Sequence, residues 1–245
     1  MTSFVLKCIA LLTMTIDHAG AMLGAMGIQK AFTIGIPNMF ALDVDVNLMR
    51  TIGRMAFPIY AFLIAEGCRR TRNQGKYILR LLVFALISEL PFNMLVSASP
   101  LGVELFYRGA QNVFFTLALG AAACALHDRL RPQSEGLGIL AALGVAMLAH
   151  YLHTDYGMYG VATIFAAYLC RNTKESAVAV TGIMGGLMYL SWYGAPYLAL
   201  AVLAAGVLMF FYNGKPGPRA AWMKWAFYAY YPAHILVIVA CGMWG

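Results

Sequence analysis

The first apolar stretch of the chain, from Phe4 to Met26, most constrains what this chain can fold into. A helix of about 20 mostly apolar residues crosses the roughly 30 Å hydrocarbon core of a bilayer, so the stretch predicts a membrane span. Asp17 and His18 lie side by side within it. Ionisable side chains at membrane depth are costly and usually face a protein interior or a wet cavity. The two residues therefore indicate either a polar pair satisfied by neighbouring helices or a reactive centre within the membrane.

The composition extends this interpretation to the whole chain. Of 245 residues, 62% are hydrophobic and 11% are charged, whereas soluble domains are about 45–50% apolar and about 25% charged. The net charge of +7 is explained by basic cytoplasmic loops, so no nucleic-acid partner is expected. Five scattered cysteines show no metal-type spacing, and we expect neither a disulfide framework nor a zinc site. We expect one integral-membrane domain, residues 1–245, in a lipid bilayer.

The apolar runs predict an all-α bundle of about nine spans. They lie at roughly 4–26, 50–68, 76–96, 111–127, 136–151, 157–170, 176–192, 196–212 and 222–243. Alternate loops are basic: those near 69–76, 127–136, 171–175 and 213–224 hold most of the cations, including Arg219, whereas the loops between them hold only Lys30 and Arg108. Because cytoplasmic loops carry the excess of Lys and Arg, the N-terminus is predicted inside and the C-terminus outside.

Polar residues recur in several of these spans. Arg50 and Arg54 lie one helical turn apart at the outer end of the second span, and Glu66 lies near its inner end. The others sit in the middle or outer half of the membrane in this topology, and they are Glu89, Asn93, Asn112, Asp155, Tyr156 and His234. Polar groups from several helices favour a functional site over a lone structural histidine.

His18 is the candidate base. A neutral imidazole accepts a proton from an amine or hydroxyl as that group attacks an acyl carbon. Asp17 points about 100° away on the helix, and it can equally pair with Arg50 or Arg54. Lys7 lies within roughly 20° of the face of His18, about 16 Å nearer the cytoplasm. Lys7 either contacts one end of a long ligand or reaches the inner headgroups.

A basic run at the cytoplasmic end of the second and third spans offers phosphate partners. Its cations are Arg69, Arg70, Arg72, Lys76 and Arg80. The positive-inside rule alone also explains such a run. The sequence contains no Gly-rich phosphate loop, metal-ligand cluster or serine-nucleophile motif, so an enzyme of this kind is expected to use acid–base transfer without a metal.

Six blocks of sequence, in their order and spacing, resemble the TraX family. They are LLTMTIDHAG, GRMAFPIYAFLIAEG, YILRLLVFALISELPFN, QNVFFTLALG, DYGMYGVATI and YYPAHILVI, and together they cover nearly the whole chain. The namesake of the family is an inner-membrane protein associated with N-terminal acetylation of F-type pilin. The first two blocks also resemble multi-span acetyltransferases that carry acetyl from cytosolic coenzyme A across the membrane.

The resemblance implies an acetyl-CoA-dependent acetyltransferase of the bacterial cytoplasmic membrane, with His18 as its catalytic base. It also implies roles for Arg54, Pro58 and Glu66. Asn112, Asp155 and Tyr156 match by motif alone. The acceptor that the resemblance implies is an amine or hydroxyl of a peptide or glycan outside the cytoplasm.

Residues and resemblance together give one hypothesis. The phosphates of acetyl-CoA bind near Lys7 and the run from Arg69 to Arg80, the thioester reaches His18, and Arg50 or Arg54 stabilises the oxyanion or holds Asp17. Two alternatives stay open. A proton-coupled small-solute transporter also uses intramembrane carboxylates, histidines and prolines, and a non-enzymatic assembly factor uses such residues to hold helices together.

Overall fold

The computed structural model describes residues 1–36, 40–107, 109–191, 196–218 and 220–244. Arg108, Arg219 and the last position of the predicted span 176–192 lie outside the described residues. Over the described ranges the chain forms ten helices and one two-stranded hairpin. In chain order these are α1 (Ser3–Ala25), β1 (Lys30–Ile36), β2 (Phe40–Asp45), α2 (Val46–Gly53), α3 (Ala56–Arg70), α4 (Gln74–Val96), α5 (Val113–Leu130), α6 (Glu135–Tyr151), α7 (Gly157–Leu169), α8 (Thr173–Ser191), α9 (Pro196–Phe210) and α10 (Ala221–Trp244).

Within the described residues, five helical segments are long and apolar enough to cross a membrane. They are Ser3–Ala25, Val46–Arg70, Gln74–Val96, Val113–Leu130 and Trp222–Met243. Three further apolar helices are shorter, namely Glu135–Tyr151, Gly157–Leu169 and Tyr197–Phe210. A helical membrane protein is therefore confirmed. The number of about nine spans and the orientation of the termini stay predictions.

The segment between the first two spans is a β-hairpin, for which the sequence predicted only a connection. Strands β1 and β2 pair antiparallel, from Lys30 opposite Asp45 to Ile36 opposite Phe40. At the base of the hairpin, the Asp45 carboxylate accepts the backbone N–H of Leu48 at 2.7 Å and caps α2. The hairpin thus leads directly into the helix that carries Arg50.

The predicted span 50–68 begins earlier, at Val46, and is broken into α2 and α3 by a turn at Arg54 and Met55. Pro58 lies in the first turn of α3, where its missing N–H and fixed φ are tolerated because the first N–H groups of a helix have no intrahelical acceptor. The Val46–Arg70 segment is the most buried of the five long ones. Helix α3 packs against α1, α5, α7, α8 and α9, so it forms the centre of the bundle.

Hydrogen bonds bring the basic connections to one end of the bundle. The backbone N–H of Ser3 donates to the carbonyl of Lys215 at 2.9 Å, and Arg70 Nη1 donates to the carbonyl of Gly214. Arg69 Nη2 donates to the carbonyl of Cys170 at 3.2 Å. The start of α1 and the connections after α3, α7 and α9 therefore meet at this end, which we call the basic end.

Candidate active site

Asp17 on α1 is held by both arginines that the sequence offered as partners. Arg54 Nη2 lies 2.9 Å from Oδ1 and 3.2 Å from Oδ2 of Asp17, and Arg50 Nη1 lies 3.1 Å from Oδ2. Arg50 Nη1 also donates to the Asp17 backbone carbonyl at 3.3 Å. The side chains of Asp17 and Arg54 are 14% and 18% exposed, against 39% for Arg50. The Asp17–Arg54 ion pair is thus more shielded from solvent than the Asp17–Arg50 pair. Together the two ion pairs hold α2 next to the turn of α1 that carries His18.

Two glycines allow α1 and α2 to approach this closely. A Cβ atom at Gly53 would overlap the side chain of Asp17, and one at Gly20 would lie 2.8 Å from Cβ of Met49. Small residues at helix contacts let backbones come together in membranes. Gly53 opens the GRMAFP block, so that block places a small residue and the arginine beside it against the same carboxylate.

His18 faces α10 rather than Asp17. Its Nδ1 lies 2.8 Å from Nε2 of His234. The other ring nitrogen of His234, Nδ1, lies 2.8 Å from the backbone carbonyl oxygen of Tyr230, and the Tyr230 hydroxyl lies 2.8 Å from that of Thr15 on α1. The ring of Tyr231 packs edge-on against both histidines, at centroid distances of 5.8 and 5.7 Å. Residues separated by more than two hundred positions thus form one polar contact between the first and last helices.

Asp155 and Tyr156 lie on the same side of the site as Arg54. Both lie within electrostatic range of Arg54, and the Tyr156 ring stacks on Phe57 with an interplanar angle of 8°. The connection before α7 that carries them is held to the start of α5, where the N–H of Asp155 donates to the carbonyl of Gln111 at 2.8 Å. Burial raises the pKa of Asp155 to about 6, and nearby Arg54 opposes this effect.

Glu89 and Asn112 bind each other beside this cluster, and Asn93 lies elsewhere. Asn112 Nδ2 donates to Oε2 of Glu89 at 2.6 Å and to the Ala85 carbonyl at 2.8 Å. Its Oδ1 accepts the N–H of Phe114 and caps α5. Asn93 instead donates to the carbonyl of Leu105 at 3.1 Å, which fixes the loop after α4 rather than the histidine pair.

A cavity of about 670 Å³ extends between α1, α3, α4, α5 and α10, within the size range of small-molecule sites. Four cations line it towards the basic end, and they are Lys7, Arg70, Arg80 and Lys224. Further in, it reaches Met14, one turn before His18, and Tyr231, which contacts both histidines. Among the described residues, buried Nε of Arg80 has no hydrogen-bond partner. The cavity thus extends from a positively charged mouth to Tyr231, whose ring contacts both histidines, although His18 and His234 do not themselves line it.

The basic run divides between the cavity and the framework. Arg70 and Arg80 line the cavity, and Glu66 at the cavity wall pairs with both Arg69 and Arg70. Arg69 turns away, since it donates to Ser176 Oγ at 2.8 Å and to the carbonyl oxygens of Ala167, Tyr168 and Cys170. Arg72 and Lys76 are exposed and do not line the described cavity. Their expected place beside a bound phosphate is therefore not supported.

The sequence alone did not single out several residues that line the cavity. Tyr60, Tyr77, Tyr228, Lys224 and Tyr231 bring hydroxyls, one cation and aromatic surface to it. The aromatic density of α10, WMKWAFYAYYP, was the available signal. It does not say which of these rings face inwards, because apolar residues surround the helix on all sides.

A family model described as "TraX protein" matches residues 3–241. The chain belongs to the TraX family. The expected membership is confirmed over nearly the whole length, and TraX proteins are linked to pilin and fimbrial assembly. A relative from Dichelobacter nodosus, named "Probable fimbrial assembly protein FimC, serogroup H1", is 29% identical over 99% of this chain and 96% of its own length. No solved structure matches the chain.

Proposed function

We propose that this TraX protein is a membrane acetyltransferase that moves acetyl from acetyl-CoA to an amine or hydroxyl of a pilin-like peptide or glycan across the cytoplasmic membrane. The observation that carries the proposal is the cavity, which runs from four cations to Tyr231, the ring that contacts both histidines. Coenzyme A has the matching form, with phosphates at one end and a thioester at the end of a narrow arm. A protein that only holds other proteins together has no need of such a cavity.

The residues present fit this co-substrate. Lys7, Arg80 and Lys224 supply positive charge for phosphate oxygens, and the unpartnered Nε of Arg80 offers a donor that a phosphate would satisfy. Aromatic and aliphatic side chains from α3, α4, α5 and α10 line the rest of the cavity. Arg50 and Arg54 hold Asp17, and through it the turn of α1 that carries His18. In this proposal they position the base.

The proposed reaction is a direct acyl transfer. The nitrogen or oxygen of the acceptor attacks the thioester carbon, and His18 Nε2 takes the proton released by the acceptor. The new bond to the acyl carbon forms as the carbon–sulfur bond breaks. The leaving thiolate takes up that proton, so that free coenzyme A and the acetylated acceptor result and His18 returns to its neutral state.

The binding test compares the thermal stability of the purified protein with acetyl-CoA, coenzyme A and ATP. A ligand that binds only the folded state stabilises it by about 2.7 kcal/mol at a hundredfold excess over Kd. We expect acetyl-CoA and coenzyme A to stabilise the protein, and Arg80→Gln to weaken this effect. Lys76→Gln is the matched control, because Lys76 is exposed outside the cavity. No stabilisation by either compound at millimolar concentration contradicts the proposal and favours a transporter of another solute.

The activity test follows labelled acetyl from acetyl-CoA to a peptide amine and a glucosamine acceptor. We expect His18→Ala to abolish transfer while the folded protein stays in the membrane. General acid–base groups contribute about 10²- to 10⁴-fold to a rate. The transfer rate of His18→Ala should therefore be at least about 100-fold below that of the wild type. Wild-type rates in His18→Ala would contradict the proposed role of this residue.

A further inference from the structure

The contact between His18 and His234 has a geometry that fixes where protons sit. Their ring planes are nearly parallel, with an interplanar angle of 7° and centroids 5.0 Å apart, while the nitrogens are only 2.8 Å apart. The nitrogens can be so much closer than the centroids only when each ring points its nitrogen along the line that joins the two ring centres. This is the arrangement of a straight N–H···N hydrogen bond, and not of two rings stacked face to face.

The backbone decides which nitrogen donates. The Tyr230 carbonyl can only accept, so Nδ1 of His234, 2.8 Å away, carries a proton. A neutral imidazole holds one proton, so Nε2 of His234 has a free lone pair and accepts the bond from His18. The proton in that bond belongs to Nδ1 of His18, and Nε2 of His18 is left with the lone pair. Both rings are neutral because a cation at this depth is costly, the more so beside Arg50 and Arg54.

The orientation of His234 is itself constrained. Its ring packs against Tyr230 with an interplanar angle of 17°, and the Tyr230 hydroxyl is tied to Thr15, one turn before His18 on α1. Tyr231 packs against the edges of both imidazoles. Within the described part of the chain, Nε2 of His18 makes no hydrogen bond. The two hydrogen bonds that begin at the Tyr230 carbonyl therefore leave Nε2 of His18 unprotonated. This is the nitrogen that is free to accept a proton from a substrate.

We propose that His234 is a positioning residue that sets the tautomer of His18 and makes Nε2 its basic atom. This inference rests on the proposed function for its catalytic meaning. When His18 takes a proton on Nε2, its Nδ1–H continues to donate to His234, and the positive charge is shared along the hydrogen bond. His234 and the Tyr230 carbonyl together fix the tautomer of His18 and stabilise its charged form. In other enzymes a carboxylate has this role for the catalytic histidine.

The first test reads the tautomer directly, by ¹⁵N NMR of the full protein labelled at the rings of its five histidines. His18→Asn and His234→Gln assign the two signals. We expect Nε2 of His18 to be unprotonated in the wild type. In His234→Ala, a population protonated at Nε2 should appear, whereas His234→Gln, whose amide oxygen can accept from Nδ1, should retain the wild-type form. Tyr230→Phe is the matched control, since it loses the hydroxyl but keeps the carbonyl. A protonated Nε2 in the wild type, or an unchanged tautomer in His234→Ala, overturns the inference.

The second test measures transfer kinetics of the same variants. We expect His234→Ala to lower kcat by about 10- to 100-fold, the usual effect of losing a group that orients a catalytic ligand, with the KM for acetyl-CoA within about twofold. His234→Gln should recover most of kcat. If the wild type transfers acetyl and the His234→Ala protein is equally active, the inference is overturned and the proposed function is not affected. If the wild type transfers no acetyl, the proposed function fails, and the NMR result still decides whether His234 sets the tautomer.

Discussion

Gly53→Ala is expected to destabilise the fold through Asp17. The new Cβ atom would overlap the carboxyl group that holds Arg54, so Asp17 must move and the shielded ion pair must open. Breaking a buried pair costs about 3–5 kcal/mol. Replacing a helical glycine by alanine returns about 1 kcal/mol. The net loss should therefore be about 2–4 kcal/mol in the free energy of unfolding.

The assay is reversible unfolding in mixed detergent micelles, with Gly144→Ala as the control. Gly144 lies inside α6, where a Cβ would meet nothing within 4 Å, so this variant should be as stable as the wild type or up to about 1 kcal/mol more stable. Combining Gly53→Ala with Asp17→Gly removes both the carboxyl group and the Cβ atom that the new methyl group would overlap, and the two losses should then not add. A Gly53→Ala protein as stable as the wild type refutes the reasoning. So does a loss that persists undiminished when position 17 is glycine.

Three further predictions concern the framework and the pH. Arg69→Met should cost about 1.5–3 kcal/mol because buried Glu66 loses one of its two charged partners while Arg70 remains, whereas Arg72→Met, at an exposed position, should be neutral in the same unfolding assay. Asn112→Ala should cost about 2–4 kcal/mol, from the lost cap of α5 and the unpaired Glu89 carboxylate, and wild-type stability would contradict this. Asp155 has a pKa of about 6 in the fold and an ordinary value of about 3.9, so between these values the folded state binds more protons than the unfolded state. Stability should therefore fall as the pH rises from about 4 to about 6, and Asp155→Asn should remove this part of the slope measured by thermal unfolding.

Apolar runs predict the long helices because the hydrocarbon core tolerates little else. The same principle made Arg50 and Arg54 candidate partners of Asp17, since a charge at that depth needs a partner, and the structure uses both. The break at Arg54 and Met55 was not predicted. Hydropathy alone does not distinguish one straight span from two helices that meet at a turn, although Pro58 at the start of α3 marks the place.

The histidine pair and the cavity could not be predicted in the same way. His18 and His234 lie on the first and last helices, and only the packing of α1 against α10 brings them together. Likewise, Arg69, Arg72 and Arg80 look equivalent in a basic run. Only the neighbouring helices decide that Arg80 faces a cavity while Arg69 binds the carbonyls at the end of α7.

The β-hairpin was missed for a further reason. Its strands are short and follow a long apolar helix, and the preference of short alternating segments for a strand depends on what they pack against. The hairpin matters for the site because β2 runs into α2, where Asp45 caps the helix that carries Arg50.

The most direct measurement is a structure of the protein with a non-hydrolysable acetyl-CoA analogue bound. The phosphates should lie against Lys7 and Arg80, and the acyl carbon should lie close to Nε2 of His18, with room for an acceptor atom at the reactive separation of about 3–3.5 Å. An analogue bound outside the cavity, or one whose acyl group ends away from His18, would contradict the proposal that this TraX protein transfers acetyl at the histidine pair.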